Sequence, residues 1–256
     1  MSDADTTRAP LPPASETRRV VISQPMYFPW PGFIEQMALA DVYVWLDDAQ
    51  FSKGSFTNRV QVKTAAGIKW MTIPLAGKGT MTDIADLKAS DELWISSHRA
   101  LLAQSLRGAP SAARAIDLFD KATSHAPLVD CLIASAEIVA ASLGIQPKAI
   151  LRTSELNLDG QSWRRVLDIV KSVGGTEYVT GLGAARYLDH QVFEDEGVAV
   201  RYMDYSLTPW PQQHGDFTPY VTALDLIATA GDEASSFLHP QTVPWREFLK
   251  SKGLPV

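Results

Sequence analysis

Short β-branched runs alternate with helical segments along most of this chain, and that alternation limits the fold more than any other feature. The predicted strands cover residues 20–23, 42–46, 149–153, 177–180 and 198–203. A short helix near Phe33 follows the first strand, and longer helices are predicted at 161–173 and about 184–194. Strands that alternate with helices pair in parallel. The chain is therefore predicted to be an α/β protein with a parallel-sheet core built from βαβ units.

Two regions interrupt this alternation. Residues 59–63 alternate between polar and apolar side chains, and residues 70–74 follow after a short turn, which predicts an antiparallel hairpin. Residues about 91–145 predict a helical insertion of three helices, with Asp91 as the first N-cap. One more helix is predicted near residues 219–230.

The domain boundaries follow from composition. Residues 1–17 are polar, contain three prolines and show no apolar periodicity, so they are predicted to be a disordered leader. With 46% hydrophobic residues among 256 positions, the chain has enough apolar side chains for a large core. Residues 18–256 are therefore predicted to form a single α/β domain.

Charge and cysteine content exclude several classes of protein. The net charge is -6, from 23 Lys and Arg against 29 Asp and Glu residues, whereas a protein that binds nucleic-acid phosphates is usually basic. The single cysteine, Cys131, excludes a disulfide framework and a multi-cysteine metal site, and no metal is expected. The longest apolar stretch, residues 128–145, contains Asp130 and Glu137 and is too polar for a membrane span. A cytoplasmic protein is expected, because no hydrophobic signal segment begins the chain.

Polar side chains stand where the first two predicted strands end. Gln24 follows the first strand, and Asp47, Asp48 and then Gln50 follow the second. Ligands of open α/β sheets bind outside the carboxyl ends of the strands, so these side chains indicate one shared site. Adjacent carboxylates suit orienting an amine or accepting a proton. The alternative is structural: one aspartate caps a turn and the other pairs with Arg59.

Other candidates are weaker when judged from the residues alone. Arg59 suits an anionic group, His98 on the first insertion helix suits a base, and Gly181-Leu182-Gly183 resembles part of a phosphate-binding turn. Each also has a structural interpretation, as a surface arginine, a packed histidine and an ordinary turn. Cys131 lies among apolar helix residues and is interpreted as a buried structural thiol rather than a nucleophile.

A family resemblance rests on several motifs that occur in order along the chain. Residues 24–32 read QPMYFPWPG, residues 46–51 read LDDAQF, and Asn58-Arg59 follow. The later matches are WMTIP at 70–74, Trp94 with His98, YVTGLG at 178–183, and a final block with Trp210, Gln212, Thr222 and Asp225. Together these motifs resemble the WbqC-like family over about residues 19–231. Trp210 departs from the family pattern, which has a tyrosine there.

The resemblance implies an activity in surface polysaccharide or secondary-metabolite biosynthesis. The implied reaction forms an amide by moving an acyl or aminoacyl group from a carrier-protein thioester to an amine, such as an amino sugar or a natural-product intermediate. The implied partners are an acyl or peptidyl carrier protein and a small-molecule amine, and the phosphopantetheine arm of the carrier is the only cofactor implied. The implied catalytic residues are His98, Asp47 and Asp48. The implied substrate-binding residues are Gln24, Tyr27, Trp30, Gln50, Asn58, Arg59, Gly181, Gly183, Gln212, Thr222 and Asp225.

A second hypothesis comes from another class of protein. A strand, a Pro-rich loop and a helix also begin nucleotide-binding α/β domains, so the chain is alternatively a nucleotide or nucleotide-sugar binding module without amide-forming activity. That hypothesis places Gly181 and Gly183 near phosphates, with Arg59 or Arg186 neutralising them. The transferase hypothesis instead predicts that Gln24 and the strand-end aspartates converge with Asn58 and Arg59 in one concave pocket.

Overall fold

The computed structural model describes residues 17–77 and 81–255, and a six-stranded sheet forms its centre. The strands are β1 (Arg19–Ser23), β2 (Val42–Trp45), β3 (Arg59–Thr64), β4 (Gly67–Thr72), β5 (Ala149–Arg152), β6 (Glu177–Thr180), β7 (Ala199–Met203) and β8 (Thr242–Pro244). The order in the large sheet is β5-β2-β1-β6-β7-β8. Its first five strands pair in parallel, which confirms the predicted core, and β8 is antiparallel to β7. Apart from Thr17, the predicted leader at 1–17 lies outside the described residues.

Helices cover both faces of this sheet. They are α1 (Pro31–Ala38), α2 (Leu93–Ser105), α3 (Ala112–Thr123), α4 (Leu128–Ser142), α5 (Ser162–Ser172), α6 (His190–Asp195), α7 (Ala223–Ala230) and α8 (Trp245–Ser251). Four 3-10 helices accompany them, at Ile84–Asp86, Thr153–Glu155, Leu182–Arg186 and Gly231–Phe237. Within the described part of the chain, no helix combines the length and apolar character needed to cross a bilayer.

Two separate hydrophobic cores lie on the two faces, because side chains of a strand point alternately to opposite sides. On β1, Val21 packs into the core formed with α1, α2, α3, α4, α7 and β3–β4. Its neighbours Val20 and Ile22 pack into the second core, which α5, α6 and α8 complete. Burial of β1 on both faces explains its continuous apolar sequence.

The strand order creates a crevice beside β1. From β1 the chain continues to β2 and β5 on one side, whereas β6 and β7 lie on the other. Open α/β sheets bind ligands outside the carboxyl ends of the strands at this reversal of order. Gln24 follows β1 and Gly181 follows β6, so both residues lie at the reversal point.

The hairpin and the helical insertion appear where the sequence predicts them. Strands β3 and β4 form a separate antiparallel sheet, with Val60 opposite Met71 in the first core. The insertion consists of α2, α3 and α4. The N-cap of α2 is Glu92 rather than the predicted Asp91. Asp91 still accepts a hydrogen bond from the Leu93 N–H at 2.9 Å and so satisfies one free donor at the start of the helix.

The last third of the chain departs from the predicted elements. The helix predicted at about 184–194 is divided into Leu182–Arg186 and α6, because the Asp189 carboxylate accepts from the Val192 N–H at 3.4 Å and starts a new helix. The predicted helix near 219–230 begins at Ala223, as α7. Strand β8 and helix α8 were not predicted, because their short sequence around Pro240 and Pro244 shows no clear periodicity.

We predict that Cys131 is structural. Its thiol is 2% exposed on α4, and burial raises its pKa to about 12, so little reactive thiolate forms at neutral pH. Cys131→Ala should lower the unfolding free energy by about 1 kcal/mol or more, with activity per folded molecule unchanged. The native thiol should react with Ellman's reagent only after unfolding. Rapid labelling of the native protein would contradict this assignment.

Candidate functional site

A cleft opens between the start of α1 and the segment that follows β7. Its enclosed space amounts to about 10 Å³, and the wider space between its walls, about 260 Å³, includes open solvent. Its walls are formed by Trp30, Pro31, Gly32, Glu35, Tyr205, Leu207, Thr208, Trp210, Pro219 and Phe237. Most of these side chains are aromatic or apolar, and Glu35 is the one carboxyl group among them. Ligand sites commonly combine a largely apolar lining with a few polar groups in this way.

Glu35 is the central polar group of the cleft. It lies on α1 and is 4% exposed. Its Oε1 accepts a hydrogen bond from the backbone N–H of His239 at 2.9 Å, and the described residues provide no donor to Oε2. Burial raises the pKa of this carboxyl above its usual range, and the His239 contact opposes the rise only in part. Glu35 thus has one free oxygen and an increased affinity for a proton.

Tyr205 adds a neutral hydroxyl to the same wall. Burial raises the pKa of its phenol, and the negative charge of nearby Glu35 raises it further. The phenol therefore keeps its proton and can act as a hydrogen-bond donor. Its ring centroid lies 5.0 Å from that of Trp30, and Trp30 in turn lies 5.6 Å from Tyr220.

Gly32 makes room for the Trp30 indole. A Cβ atom at this position would lie 2.0 Å from Cζ3 of the Trp30 ring, closer than any real contact permits. The glycine therefore serves the approach of a side chain of its own loop, rather than the approach of a ligand to the helix. Trp30 also precedes α1 directly, so its backbone and its ring together fix this wall of the cleft.

Trp210 also lines the cleft, and a hydrogen bond to Asp225 fixes its position. Its indole N–H donates to the Asp225 carboxylate at 2.8 Å, and both residues are buried. Burial raises the pKa of Asp225, and the bond from Trp210 opposes that rise. Thr222 caps α7 by accepting from the Leu224 N–H at 3.3 Å, which positions Asp225 in the first turn. The only polar atom of the Trp210 side chain is therefore hydrogen-bonded inside the protein.

Asp47 and Asp48 make structural contacts at the end of β2. Asp47 is 1% exposed and accepts from the Ser154 N–H at 3.0 Å and from the Ser154 hydroxyl at 2.7 Å. Asp48 accepts from Thr153 at 2.7 Å and pairs with Arg165. Burial alone would raise the pKa of Asp48, but the bonds from Arg165 and Thr153 hold it below its usual value. The two carboxylates thus fasten the segment after β5 to the end of β2.

His98 pairs with Tyr27 inside the first core. The Tyr27 hydroxyl lies 3.0 Å from His98 Nδ1, and Tyr27 is fully buried. Burial lowers the pKa of His98 to about 4, although a hydrogen bond to the Thr72 backbone opposes the shift. A neutral His98 can therefore accept a hydrogen bond from the Tyr27 hydroxyl at Nδ1. A catalytic role for His98 stays a prediction.

The predicted binding residues on the hairpin side are held by protein contacts. Asn58 donates from Nδ2 to the Ile73 carbonyl at 2.9 Å, which joins the two ends of the hairpin. The Arg59 guanidinium donates to the Gly54 carbonyl and lies 4.3 Å from the Trp70 ring centroid. Gln50 is exposed and Gln24 is half-buried.

The remaining predicted residues lie in the last third of the chain. Gln212 accepts from the Lys63 ammonium at 3.0 Å and donates to the Thr218 carbonyl at 2.8 Å, so both ends of its amide are used. Gly181 is half-buried beside the Tyr205 hydroxyl, and Gly183 is exposed. Neither glycine has a positive φ, so this turn does not need glycine for its backbone conformation.

The structure brings only part of the predicted site together. Trp30 lines the cleft, and Asp225 with Thr222 supports it through Trp210. The other predicted residues are absent from the cleft lining described above. Glu35 and Tyr205 were missed by sequence reasoning. A charged residue inside the apolar run of α1, PGFIEQMA, was the available signal for Glu35. Among the described residues, no group of three His, Cys, Asp or Glu side chains is arranged to hold a metal.

We predict that Gly32→Ala displaces the Trp30 ring. The added methyl group overlaps the indole, and overpacking of this kind costs about 1–3 kcal/mol of unfolding free energy. Gly183→Ala is the matched control, because open space surrounds that position and its stability should be unchanged. Thermal unfolding of the two variants compares them directly. Equal melting temperatures would show that Trp30 is not held against Gly32.

We predict that Asp47→Asn destabilises the fold. The amide cannot accept all the hydrogen bonds that the carboxylate accepts from Thr153 and Ser154, and the loss should cost about 1–3 kcal/mol. Asp159→Asn, on an exposed carboxylate, is the control and should unfold like the parent. Denaturant unfolding measures both. Parental stability of Asp47→Asn with lost turnover would instead support the catalytic role implied by the family motif.

Comparison with known proteins places the chain in a family. It is 28% identical over 228 residues to the uncharacterized protein Rv1507c of Mycobacterium tuberculosis, covering 86% of this chain and 97% of that protein. No solved structure matches the chain significantly. The model of the WbqC-like protein family matches residues 24–237, a span that contains the whole cleft lining. The protein therefore belongs to the WbqC-like family.

Proposed function

We propose that this protein is a transferase that forms an amide by moving an acyl or aminoacyl group from a carrier-protein thioester to an amine. The acceptor is an amino sugar or a natural-product intermediate, in surface polysaccharide or secondary-metabolite biosynthesis. One observation carries the proposal: the buried Glu35 carboxyl lines an aromatic cleft and has one oxygen without a hydrogen-bond donor among the described residues. That arrangement suits an amine that must lose a proton.

The reaction requires two proton transfers around one bond exchange. The acceptor arrives as an ammonium ion and gives a proton to the Glu35 carboxylate. The amine nitrogen then attacks the thioester carbonyl, the C–N bond forms and the C–S bond breaks. The departing thiolate takes up the second amine proton, and Glu35 returns the first to solvent after the reaction. A base with a raised pKa is better matched to these transfers than an ordinary exposed carboxylate.

The other cleft residues fit the two reactants. Trp30, Tyr205 and Trp210 supply aromatic rings beside Glu35, and aromatic faces attract ammonium groups. The Tyr205 phenol keeps its proton and can donate a hydrogen bond to the oxyanion that develops on the thioester carbonyl. The cleft lining therefore supports both amine binding and stabilisation of the negative charge that develops in the transition state.

Direct transfer to the amine is the simplest course in this cleft. The Thr208 hydroxyl is its one aliphatic alcohol, and it shares a hydrogen bond of 2.9 Å with Ser206. Cys131 lies buried on α4 with a raised thiol pKa. A covalent acyl-enzyme would need an activated nucleophile, and the cleft lining offers no histidine beside Thr208.

The charge of the cleft also distinguishes the two hypotheses. An anionic nucleotide phosphate would be repelled by Glu35, whereas an ammonium group would be attracted. Gly181 and Gly183 lie at the start of a 3-10 helix of five residues. The cleft therefore favours the amine acceptor over the nucleotide.

We predict that Glu35→Gln lowers amide formation by about 10²- to 10⁴-fold, the usual effect of losing a general base. The glutamine oxygen still accepts the His239 N–H, so the fold should persist. Product is measured by mass spectrometry with an acyl N-acetylcysteamine thioester and a panel of amino sugars and alkylamines. In the parent, the rate should rise with pH as Glu35 loses its proton, and the variant should lack that limb of the profile.

Glu137→Gln is the matched control. Glu137 is also a carboxyl whose pKa burial raises, but it accepts from the Trp45 indole at 2.7 Å and is not part of the cleft lining. Its variant should keep parental turnover. A raised carboxyl pKa lowers stability as pH rises above the unfolded value of about 4.5, so at neutral pH Glu35→Gln should melt at or above the parent. If Glu35→Gln keeps the parental turnover and His98→Gln loses it, the general base is His98 and not Glu35.

A further inference from the structure

The outer face of the hairpin exposes large apolar side chains. Val60, Val62 and Met71 point into the first core from the inner face. On the outer side, Ile68 and Trp70 are 43% and 42% exposed, and Phe56 just before β3 is 39% exposed. Lys69 pairs with Val62 and belongs to the other side of β4, where its side chain is exposed. We name Phe56, Arg59, Ile68 and Trp70 the hairpin face. An exposed apolar cluster of this kind marks an interaction surface.

The aromatic part of the hairpin face is already ordered. The Arg59 guanidinium lies 4.3 Å from the Trp70 ring centroid, and the Phe56 and Trp70 rings are 5.8 Å apart. Arg59 also donates to the Gly54 carbonyl, while its buried Nε has no acceptor among the described residues. Trp and Arg are the residue types that most often dominate binding energy at interfaces. Little side-chain entropy would be lost when a partner binds here.

The charge of this region is opposite to that of the chain. Residues 51–82 contain five basic residues and no acidic residue, within a protein of net charge -6. Lys53 and Lys69 are exposed, whereas the Lys63 ammonium is buried against Gln212. Complementary charge steers and orients association, so an acidic partner would be drawn to this face and repelled elsewhere.

Hydrogen bonds join the hairpin to the chain segments that carry the cleft walls. The Thr222 N–H donates to the Gln61 carbonyl of β3 at 3.0 Å. Two residues before Thr222 is Tyr220, which is 48% exposed and packs beside Trp30 of the cleft wall. On the other side, the Tyr27 N–H donates to the Phe56 carbonyl at 3.2 Å and joins the hairpin to the loop that precedes Trp30. A partner seated on the hairpin face would therefore lie beside the cleft.

We propose that the hairpin face docks the acidic carrier protein that delivers the acyl donor, an inference that rests on the proposed function for the identity of the partner. The stacked Arg59–Trp70 pair forms the centre of the contact, and Lys69 with Lys53 contributes the steering charge. Docking here places the carrier's thioester arm next to the cleft that holds Glu35. A nucleic-acid partner is disfavoured, because two exposed lysines and one arginine on an acidic protein are few for a phosphate backbone.

The test measures binding of a phosphopantetheinylated acyl carrier protein of net negative charge to the full chain by calorimetry, at low and physiological salt. Lys69→Glu and Trp70→Ala should each raise the dissociation constant by at least about tenfold. Lys250→Glu on α8 and Ile150→Ala on β5 replace exposed residues far from the hairpin in sequence, and both should bind like the parent. Amide formation from the N-acetylcysteamine thioester should be unchanged in Lys69→Glu, because that donor needs no docking.

The outcomes separate the docking site from the reaction. Failure of the parent to bind the carrier, or equal binding by all variants, would overturn the docking site even if the small thioester is converted. Hairpin-dependent carrier binding without amide formation from either donor would support the docking site and count against the proposed function. Binding of single-stranded RNA that Lys69→Glu and Trp70→Ala abolish, with no carrier binding, would overturn the proposal in favour of a nucleic-acid surface.

Discussion

The loop between β1 and α1 is the element on which the cleft depends, and it is held by three distant hydrogen bonds. The Tyr27 hydroxyl bonds to His98, the Phe28 N–H donates to the Ser135 hydroxyl at 2.9 Å, and the Pro29 carbonyl accepts from the Ala223 N–H at 2.8 Å. These partners lie on α2, on α4 and at the start of α7. The helical insertion therefore positions Trp30, and through it the cleft, without lining the cleft itself.

Buried carboxylates in this protein differ in how many hydrogen bonds their oxygens accept. Asp47 accepts from both groups of Ser154, and Asp48 accepts from Thr153 and pairs with Arg165. A buried carboxylate whose two oxygens are both hydrogen-bonded stabilises a local structure and has little capacity left for chemistry. Glu35 accepts one backbone bond and lines the cleft. This difference, more than proximity to a strand end, distinguishes a candidate catalytic group from a structural one.

Sequence reasoning predicted the parallel core and the hairpin, because both depend on local periodicity. It also placed Gln24 and the aspartates at the strand ends. It did not predict that Ser154, more than a hundred residues along the chain, would occupy the Asp47 carboxylate, since that contact requires β5 to lie beside β2. Glu35 was overlooked because a charged residue on a short helix normally faces solvent. Only the packing of the segment around His239 against α1 shows that it is buried.

Strands β3 and β4 contribute to the cleft as well as to the hairpin face. Lys63 of β3 is buried and donates from its ammonium group to Gln212 and to the backbone carbonyls of Gly215 and Asp216. These contacts help to hold residues 204–220, which carry Trp210 and form neither helix nor strand. A buried ammonium group is tolerated only when such acceptors surround it. The positive charge of the hairpin thus has two separate uses: Lys63 fixes a wall of the cleft from inside, and Lys69 faces the solvent through which a carrier would approach.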